Sequence, residues 1–163
     1  MQRQILASLL LSIAGAPALA LPPAEGPVQA TDLDAAVREP AAIVDSFHAA
    51  LKRGNVQAAL SHLHDDAIVY ETGGAERGKA EYAAHHAASD AAFAKSVQSQ
   101  VVRRAGRAVG DTAWILTEGR TKGTFKQRPI DTKTVETMIL QRTEGAWRIV
   151  HIHWSSGAVR PAA

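Results

Sequence analysis

Apolar residues in the first half of the chain recur at helical spacing. After Pro40 they lie three and four positions apart, as in a helix that buries one face. They are Ile43, Val44, Phe47, Ala50 and Leu51. Gly54-Asn55 ends this helix, and a second, shorter helix is predicted over 56–63. The alanine-rich segment 79–95 holds strong helix formers and no breaker, so it predicts a third helix.

Beyond this segment the period changes to two, which indicates strands. One strand is predicted at 67–71, before the third helix, and four follow at 97–109, 112–125, 132–142 and 147–155. Short turns between consecutive strands favour an antiparallel sheet, and helices that precede strands favour the α+β class. We expect the sheet to bend around the third helix and to enclose a cavity.

The two ends of the chain follow other patterns. Arg3, the apolar run 5–14 and Ala18-Leu19-Ala20 are typical of a secretory signal peptide over 1–20, and Pro17 interrupts the run before it reaches membrane-spanning length. An uncleaved N-terminal anchor is the alternative. We also predict a disordered leader at 21–38, one domain at 39–157 and a frayed tail at 158–163. The mature protein would then be periplasmic or secreted, without a membrane partner.

Composition narrows the class of protein. The 163 residues include no cysteine, which excludes a disulfide scaffold and a cysteine zinc site. Lys and Arg number 18 against 16 Asp and Glu, and this net charge of +2 gives no indication of a nucleic-acid partner. The hydrophobic share of 46% is ordinary for a globular domain.

Two segments carry a family resemblance. They are Ala-Ile-Val-Tyr-Glu at 67–71 and Trp-Arg-Ile-Val-His-Ile-His-Trp-Ser-Ser-Gly at 147–157. With the order of elements, they resemble the nuclear transport factor 2-like superfamily and its SnoaL-like, or ketosteroid isomerase-like, branch. The second segment is also similar to the association domain of calcium/calmodulin-dependent kinase II. The resemblance covers about residues 40–157.

The resemblance implies a cone-shaped, curved antiparallel sheet wrapped on three N-terminal helices. It also implies a pocket between the sheet and the helices, and a homodimer. Met138 and Trp154 stand where the kinase association domain has arginines, so an anion-binding pocket is not carried over. The aspartate, tyrosine and protonated aspartate of ketosteroid isomerase find no match either, so isomerase activity does not follow from the family label.

Strand register decides which side chains share the pocket face. If 143–145 is a three-residue loop with Gly145 left-handed, Glu136 lies opposite Ile152, and we favour this register. A four-residue loop would place Glu136 opposite His153 instead.

Glu118 and Glu136 are the candidate bases, because burial of a carboxylate raises its pKa and lets it accept a proton near neutrality. The alternative for each glutamate is a solvated outer-face position or a salt bridge to Arg120 or Arg148.

Further candidates would line the pocket. Tyr70 and His86 are the expected hydrogen-bond donors, and His86 shares a helical stripe with Tyr82, Ser89 and Phe93. The expected ligand-contacting residues are Tyr82, Trp114, Met138, Ile152 and Trp154. Core packing, or a surface position for the histidine, is the alternative.

His151 and His153 project from one side of the last predicted strand, a spacing that could serve a metal ion. A third ligand would have to come from Glu71, Glu136, His86, His62 or His64. Structural hydrogen bonding or interface packing is the competing interpretation of this histidine pair.

These observations predict an exported protein that binds a small hydrophobic organic molecule. As an enzyme it would be a cofactor-independent isomerase or lyase, with Glu118 or Glu136 as the base and Tyr70 or His86 as the donor. One alternative is a periplasmic metal-binding protein. Another is a non-catalytic dimerisation module that uses the outer sheet face.

Overall fold

The computed structural model describes residues 33–159. The predicted signal peptide at 1–20, most of the predicted leader and most of the predicted tail lie outside the described residues. The helices are α1 (Ala35–Lys52), α2 (Val56–Leu60), α3 (Lys79–His85) and α4 (Ala87–Ser96). The strands are β1 (Leu63–Glu71), β2 (Gly74–Arg77), β3 (Val97–Val109), β4 (Thr112–Phe125), β5 (Arg128–Thr143) and β6 (Ala146–Ala158). Within 33–159, no helix is long and apolar enough to cross a membrane.

Helix α1 begins at Ala35, five residues before the predicted start, so the end of the predicted leader is wrong. Val37 is buried in the core and fixes this first turn. Pro40 lies inside the helix and offers no N–H to the carbonyl of Ala36. Ala36 is exposed, so water can satisfy that carbonyl.

The predicted third helix is two helices. His86, with φ −118° and ψ −35°, interrupts the helical backbone between α3 and α4. The interruption changes which side chains share a face. Tyr82 lies on the same side as Asp90 and donates a hydrogen bond to it at 2.8 Å. Ser89, which was predicted to share a face with Tyr82, is exposed.

The α+β class is confirmed. The six strands form one curved sheet in the order β2-β1-β6-β5-β4-β3, and β3 to β6 pair antiparallel as predicted. The sequence missed β2 and the parallel pairing of β1 with β6. The helices cover one face of the sheet, called the inner face here, which carries Ile115, Met138 and Ile152 in the core. The opposite face is called the outer face.

The β5–β6 hairpin turns through two residues, so both predicted loop lengths are wrong. Thr143 pairs with Ala146, and Glu144 and Gly145 have φ of 52° and 78°, as a tight hairpin turn requires. A bulge at Val150 then moves the register by one more residue. Glu136 therefore lies opposite Trp154, not opposite Ile152 or His153.

The bulge keeps the apolar side chains of β6 on one face. Ile149 and Ile152 are three residues apart, yet both are fully buried. Without the extra residue at Val150, one of the two would point to the outer face. Glu136 keeps its predicted place on the same face as Met138, because the two lie two residues apart on β5, although its cross-strand partner differs.

Gly106 of β3 offers a direct test of this packing. A Cβ atom there would lie 2.7 Å from Cγ1 of Val37 and 2.9 Å from Cδ1 of Ile115. We predict that Gly106→Ala lowers the free energy of unfolding by about 1–3 kcal/mol, because the α1–sheet contact must open. Gly157→Ala on β6 is the matched control, since its Cβ would meet nothing within 4 Å. Urea denaturation compares the two, and equal effects would contradict the tight contact at Gly106.

Candidate functional site

Five side chains form a line across the inner face of the sheet. The pairings run from Glu71 on β1 to Trp154 on β6, Glu136 on β5, Thr117 on β4 and Arg104 on β3. Paired residues on neighbouring strands project from the same face, and strands are about 4.8 Å apart. Glu71 and Glu136 therefore stand on either side of Trp154, with their backbones about 10 Å apart. We call this line the inner row.

The carboxylate of Glu136 is the centre of the inner row. Its Oε2 accepts a hydrogen bond from Nε2 of His48 and another from Nε1 of Trp154, both at 2.7 Å. Its Oε1 is buried and has no hydrogen-bond partner. The Glu136 side chain is only 8% exposed, whereas His48 on α1 is 41% exposed. His48 thus connects a buried carboxylate to the solvent.

The environment of Glu136 lowers its pKa from the ordinary value of 4.5. Burial is the largest influence and acts to raise the pKa. The positive charge of a protonated His48, the hydrogen bonds from His48 and Trp154 and the Arg104 guanidinium together outweigh burial. The predicted rise in the pKa of Glu136 is therefore wrong in direction, because the prediction took account of burial and not of these partners.

Arg104 closes the other end of the inner row. It is buried, its Nη1 donates to Oδ1 of Asp45 on α1 at 2.6 Å, and its Nε donates to Oγ1 of Thr117 at 3.3 Å. Asp45 and His48 are three residues apart on α1, so both face the sheet from the same side of the helix. One turn of α1 therefore supplies a partner to each buried charge of the row.

A second polar group lies beside Glu71. Tyr82 donates to Oδ2 of Asp90 at 2.8 Å, and His86 forms an ion pair with the buried Glu76. Desolvation and then the negative charge of Asp90 raise the pKa of Glu71. Desolvation also raises the pKa of Asp90, against the hydrogen bond from Tyr82. The pKa values of the two glutamates that flank Trp154 are therefore shifted in opposite directions.

Past the inner row, the inner face is open and lined by small side chains. The next pairings join Val101, Gly119, Thr134 and Ser156 across β3, β4, β5 and β6. All four are partly or fully exposed. We call these four residues the shelf, because they form a shallow floor beside the edge of the packed core.

Five predicted site residues lie on the outer face. Glu118 is 57% exposed and is 3.6 Å from Arg103, and Trp114 lies on the same side of β4. Tyr70 packs against the rings of His151 and His153 at 5.2 and 6.4 Å between ring centroids. The predicted pocket placement of Glu118, Trp114 and Tyr70 is wrong, because the alternation of β4 and β1 points them away from the helices.

The predicted hollow is largely filled. Phe47, Tyr82, Met138 and Ile152 are fully buried and pack as core under the sheet, so Met138 and Ile152 are not an exposed ligand wall. Trp154 remains partly accessible and stacks on Phe47 at 6.2 Å. A groove of about 290 Å³ lies mainly on the outer face, where Arg103, Leu116, Glu118 and Thr137 line it.

The expected metal ligands do not assemble within one chain. His151 and His153 share the outer face, while Glu136 points to the inner face. Across residues 33–159, no three His, Asp or Glu side chains lie close enough to hold a metal ion.

Two residues of the inner site, His48 and Arg104, were not predicted from the sequence. His48 lies four residues after Val44 and three before Leu51, both buried, so its helical phase could have revealed it. The alternation of β3 could not have shown which face carries Arg104, because a bulge between Val101 and Arg103 changes that alternation.

Comparisons with known proteins agree with the fold. The SnoaL-like domain model matches residues 41–159. A candidate ketosteroid isomerase from Shewanella frigidimarina is 32% identical over 76% of this chain and 99% of its own, with a TM-score of 0.72. A candidate calcium/calmodulin-dependent protein kinase II association domain from Xanthomonas campestris is 20% identical over 76% and 89%, with a TM-score of 0.64. A nuclear transport factor 2-like protein of unknown function from Pseudomonas putida is 18% identical over 72% and 83%, with a TM-score of 0.61. The comparison with curated proteins finds no match.

The opposite pKa shifts predict opposite pH dependences. The lowered pKa of Glu136 stabilises the fold above its ordinary value of 4.5, and this stability is lost as the pH falls through the folded value. The stability advantage of wild type over Glu136→Gln should therefore shrink below about pH 4.5.

Glu71→Gln is the matched comparison. The raised pKa of Glu71 means that wild type should lose stability relative to this variant as the pH rises above 4.5. Urea denaturation between pH 3 and 7 measures both differences, and slopes of the same sign would contradict the assignment.

Proposed function

We propose that this chain, which belongs to the SnoaL-like domain family, is an exported protein. It binds a small, mostly apolar organic molecule on the shelf, against Glu136 and Trp154. Export is inferred from Arg3, the apolar run 5–14 and the Ala18-Leu19-Ala20 cleavage pattern. The resemblance to the candidate ketosteroid isomerase from Shewanella frigidimarina supports an isomerase-type activity or a ligand-binding role.

The unpartnered Oε1 of Glu136 carries this proposal. A buried carboxylate oxygen without a partner loses its hydration and gains nothing in return. The other oxygen of the same group is held by two donors, so the side chain cannot turn to water without breaking them. A ligand that presents a proton or a hydrogen-bond donor to Oε1 would satisfy this atom.

The same geometry suits cofactor-free proton transfer. The ionised Glu136 removes a proton from a carbon next to a carbonyl group, and the charge moves to the carbonyl oxygen. A protonated Glu71, whose pKa is raised chiefly by desolvation, stands across Trp154 and returns a proton at a second position. Proton exchange with solvent then returns Glu71 to its acid form and, through His48, returns Glu136 to its base form. His48 orients the base and links it to solvent. An isomerisation by this route consumes no cofactor.

Trp154 supplies the apolar part of the site. Its ring stacks on Phe47 and tilts against Tyr82 at 6.5 Å, while its Nε1 donates to Glu136. The ring is therefore held rigidly between the two glutamates. A flat apolar ligand would pack against the accessible part of the ring, and the paired residues Thr134 and Ser156 would lie beside it on the shelf.

We predict that Glu136→Gln lowers turnover of a β,γ-unsaturated ketosteroid at least about 100-fold, because the amide cannot act as a base. The absorbance of the conjugated product and the thermal midpoint with and without ligand are measured on the same samples. Glu118→Gln, an outer-face glutamate, is the matched control and should change turnover less than about twofold.

A second variant tests the location of the ligand. Ser156→Trp fills the shelf at an exposed position and should abolish the ligand-induced rise in midpoint while the protein stays folded. Equal effects of Glu118→Gln and Glu136→Gln would contradict the inner-face site. Failure of this ketosteroid and of a panel of cyclic ketones to raise the wild-type midpoint would overturn the ligand class.

We also propose that the protein is a homodimer through the outer face. Large apolar side chains there are 36% to 53% exposed: Ile68, Tyr70, Trp114, Leu116 and Val135. Several large, exposed apolar side chains on one face are typical of a protein–protein interface. The structural similarity to the candidate association domain from Xanthomonas campestris supports a second copy as the partner.

We predict that Leu116→Glu weakens the dimer at least about tenfold, because it places a charge within an apolar contact. Val101→Glu is the matched control, since Val101 has the same exposure, 42% against 43%, but lies on the inner face. Sedimentation velocity measures both dissociation constants. A dimer that Leu116→Glu leaves intact would contradict an outer-face interface.

A further inference from the structure

We infer that His151 and His153 form half of a zinc site, which two copies of the chain complete at the centre of their outer-face contact. This inference rests on the proposed dimer. It assigns a metal to two histidines that have no part in the proposed reaction.

The tautomer of His151 is set by the backbone. Its Nδ1 lies 3.0 Å from the carbonyl oxygen of Ile68 on β1. A carbonyl oxygen can only accept, so Nδ1 carries the hydrogen and the neutral ring keeps its lone pair on Nε2. A hydrogen bond from the second ring nitrogen to a backbone carbonyl is the arrangement that orients histidine ligands in metal sites.

His153 presents a second imidazole on the same face. Two residues along one strand span about 7 Å, a distance that two imidazole side chains can bridge toward one ion. The ring of Tyr70 packs edge-on against both imidazoles, at 5.2 and 6.4 Å. This packing limits the conformations of both rings, so less freedom is lost when a metal binds.

The cross-strand neighbours of the pair are uncharged. On β5, Ile139 lies opposite His151 and Thr137 lies opposite His153. On β1, the neighbours are Ile68 and Tyr70. No carboxylate competes for the imidazoles at these flanking positions, and the apolar side chains would exclude water once the face is covered.

A second copy supplies the missing ligands. Within residues 33–159 the chain offers no third ligand to this pair. In a two-fold symmetric contact, residues close to the axis meet their own counterparts. Strand β6 is third in the six-strand order, so its outer face lies near the middle of the sheet. Two copies together would present four imidazoles, which matches the four-coordinate preference of zinc.

The test uses the full chain without a histidine tag, in EDTA or in zinc chloride. Sedimentation velocity should show at least about tenfold tighter dimerisation in zinc, and metal analysis should give one zinc per two chains. His151→Ala and His153→Ala should each remove the zinc effect and keep the metal-free dimer. His85→Ala, at an exposed histidine on α3, is the matched control and should keep the zinc effect.

The outcomes separate the metal site from the dimer. A dimer whose affinity is the same in EDTA and in zinc would overturn the zinc site and leave the dimer standing. Zinc-driven association that survives both β6 variants would also overturn the site, because other groups would then hold the ion. A chain that is monomeric in both solutions would overturn the site together with the proposed dimer.

Discussion

The buried carboxylate of Glu136 must be surrounded by hydrogen-bond donors and positive charges. Helix α1, packed against the sheet, and strand β6 supply them. A charge placed under a sheet is unfavourable unless donors and opposite charges surround it. Helix α1 supplies His48 to Glu136 and Asp45 to Arg104, and β6 supplies the Trp154 indole. These contacts fix the rotation of α1 against the sheet. They also tie α1 to β5 and β3, at residues 88 and 59 positions away in the sequence.

Trp154 separates two acidic environments. On one side, positive and hydrogen-bonding partners lower the pKa of Glu136. On the other, desolvation and neighbouring carboxylates raise the pKa of Glu71. The surroundings thus shift the pKa values of two glutamates in opposite directions. Such a difference can provide an acid and a base without a cofactor. The proposed association uses the outer face, which carries exposed apolar residues and the His151–His153 pair, whereas the proposed reaction uses the inner face.

The sequence predicted the regular parts of the fold and missed the irregular ones. Strands β3 and β4 match their predicted bounds, because alternation and turn residues specify them locally. The register of β5 against β6 depends on a bulge at Val150, which no local pattern reveals. Glu136 was found from its place in an apolar strand, whereas its pKa depends on His48, 88 residues away. Glu118 was misplaced because alternation identifies two faces of a strand without saying which one the helices cover.

The most direct test is a carbon-13 NMR titration of the Glu136 carboxyl group, assigned by comparison with Glu136→Gln. We predict that the pKa of Glu136 lies below its ordinary value of 4.5 in the wild-type protein, and that His48→Ala raises it, because the variant removes a positive charge and a hydrogen bond while the carboxyl group stays buried. A bound ketone should shift this resonance. A Glu136 pKa above 4.5 in the wild-type protein, or a Glu136 pKa that His48→Ala leaves unchanged, would contradict the central role of this ion pair.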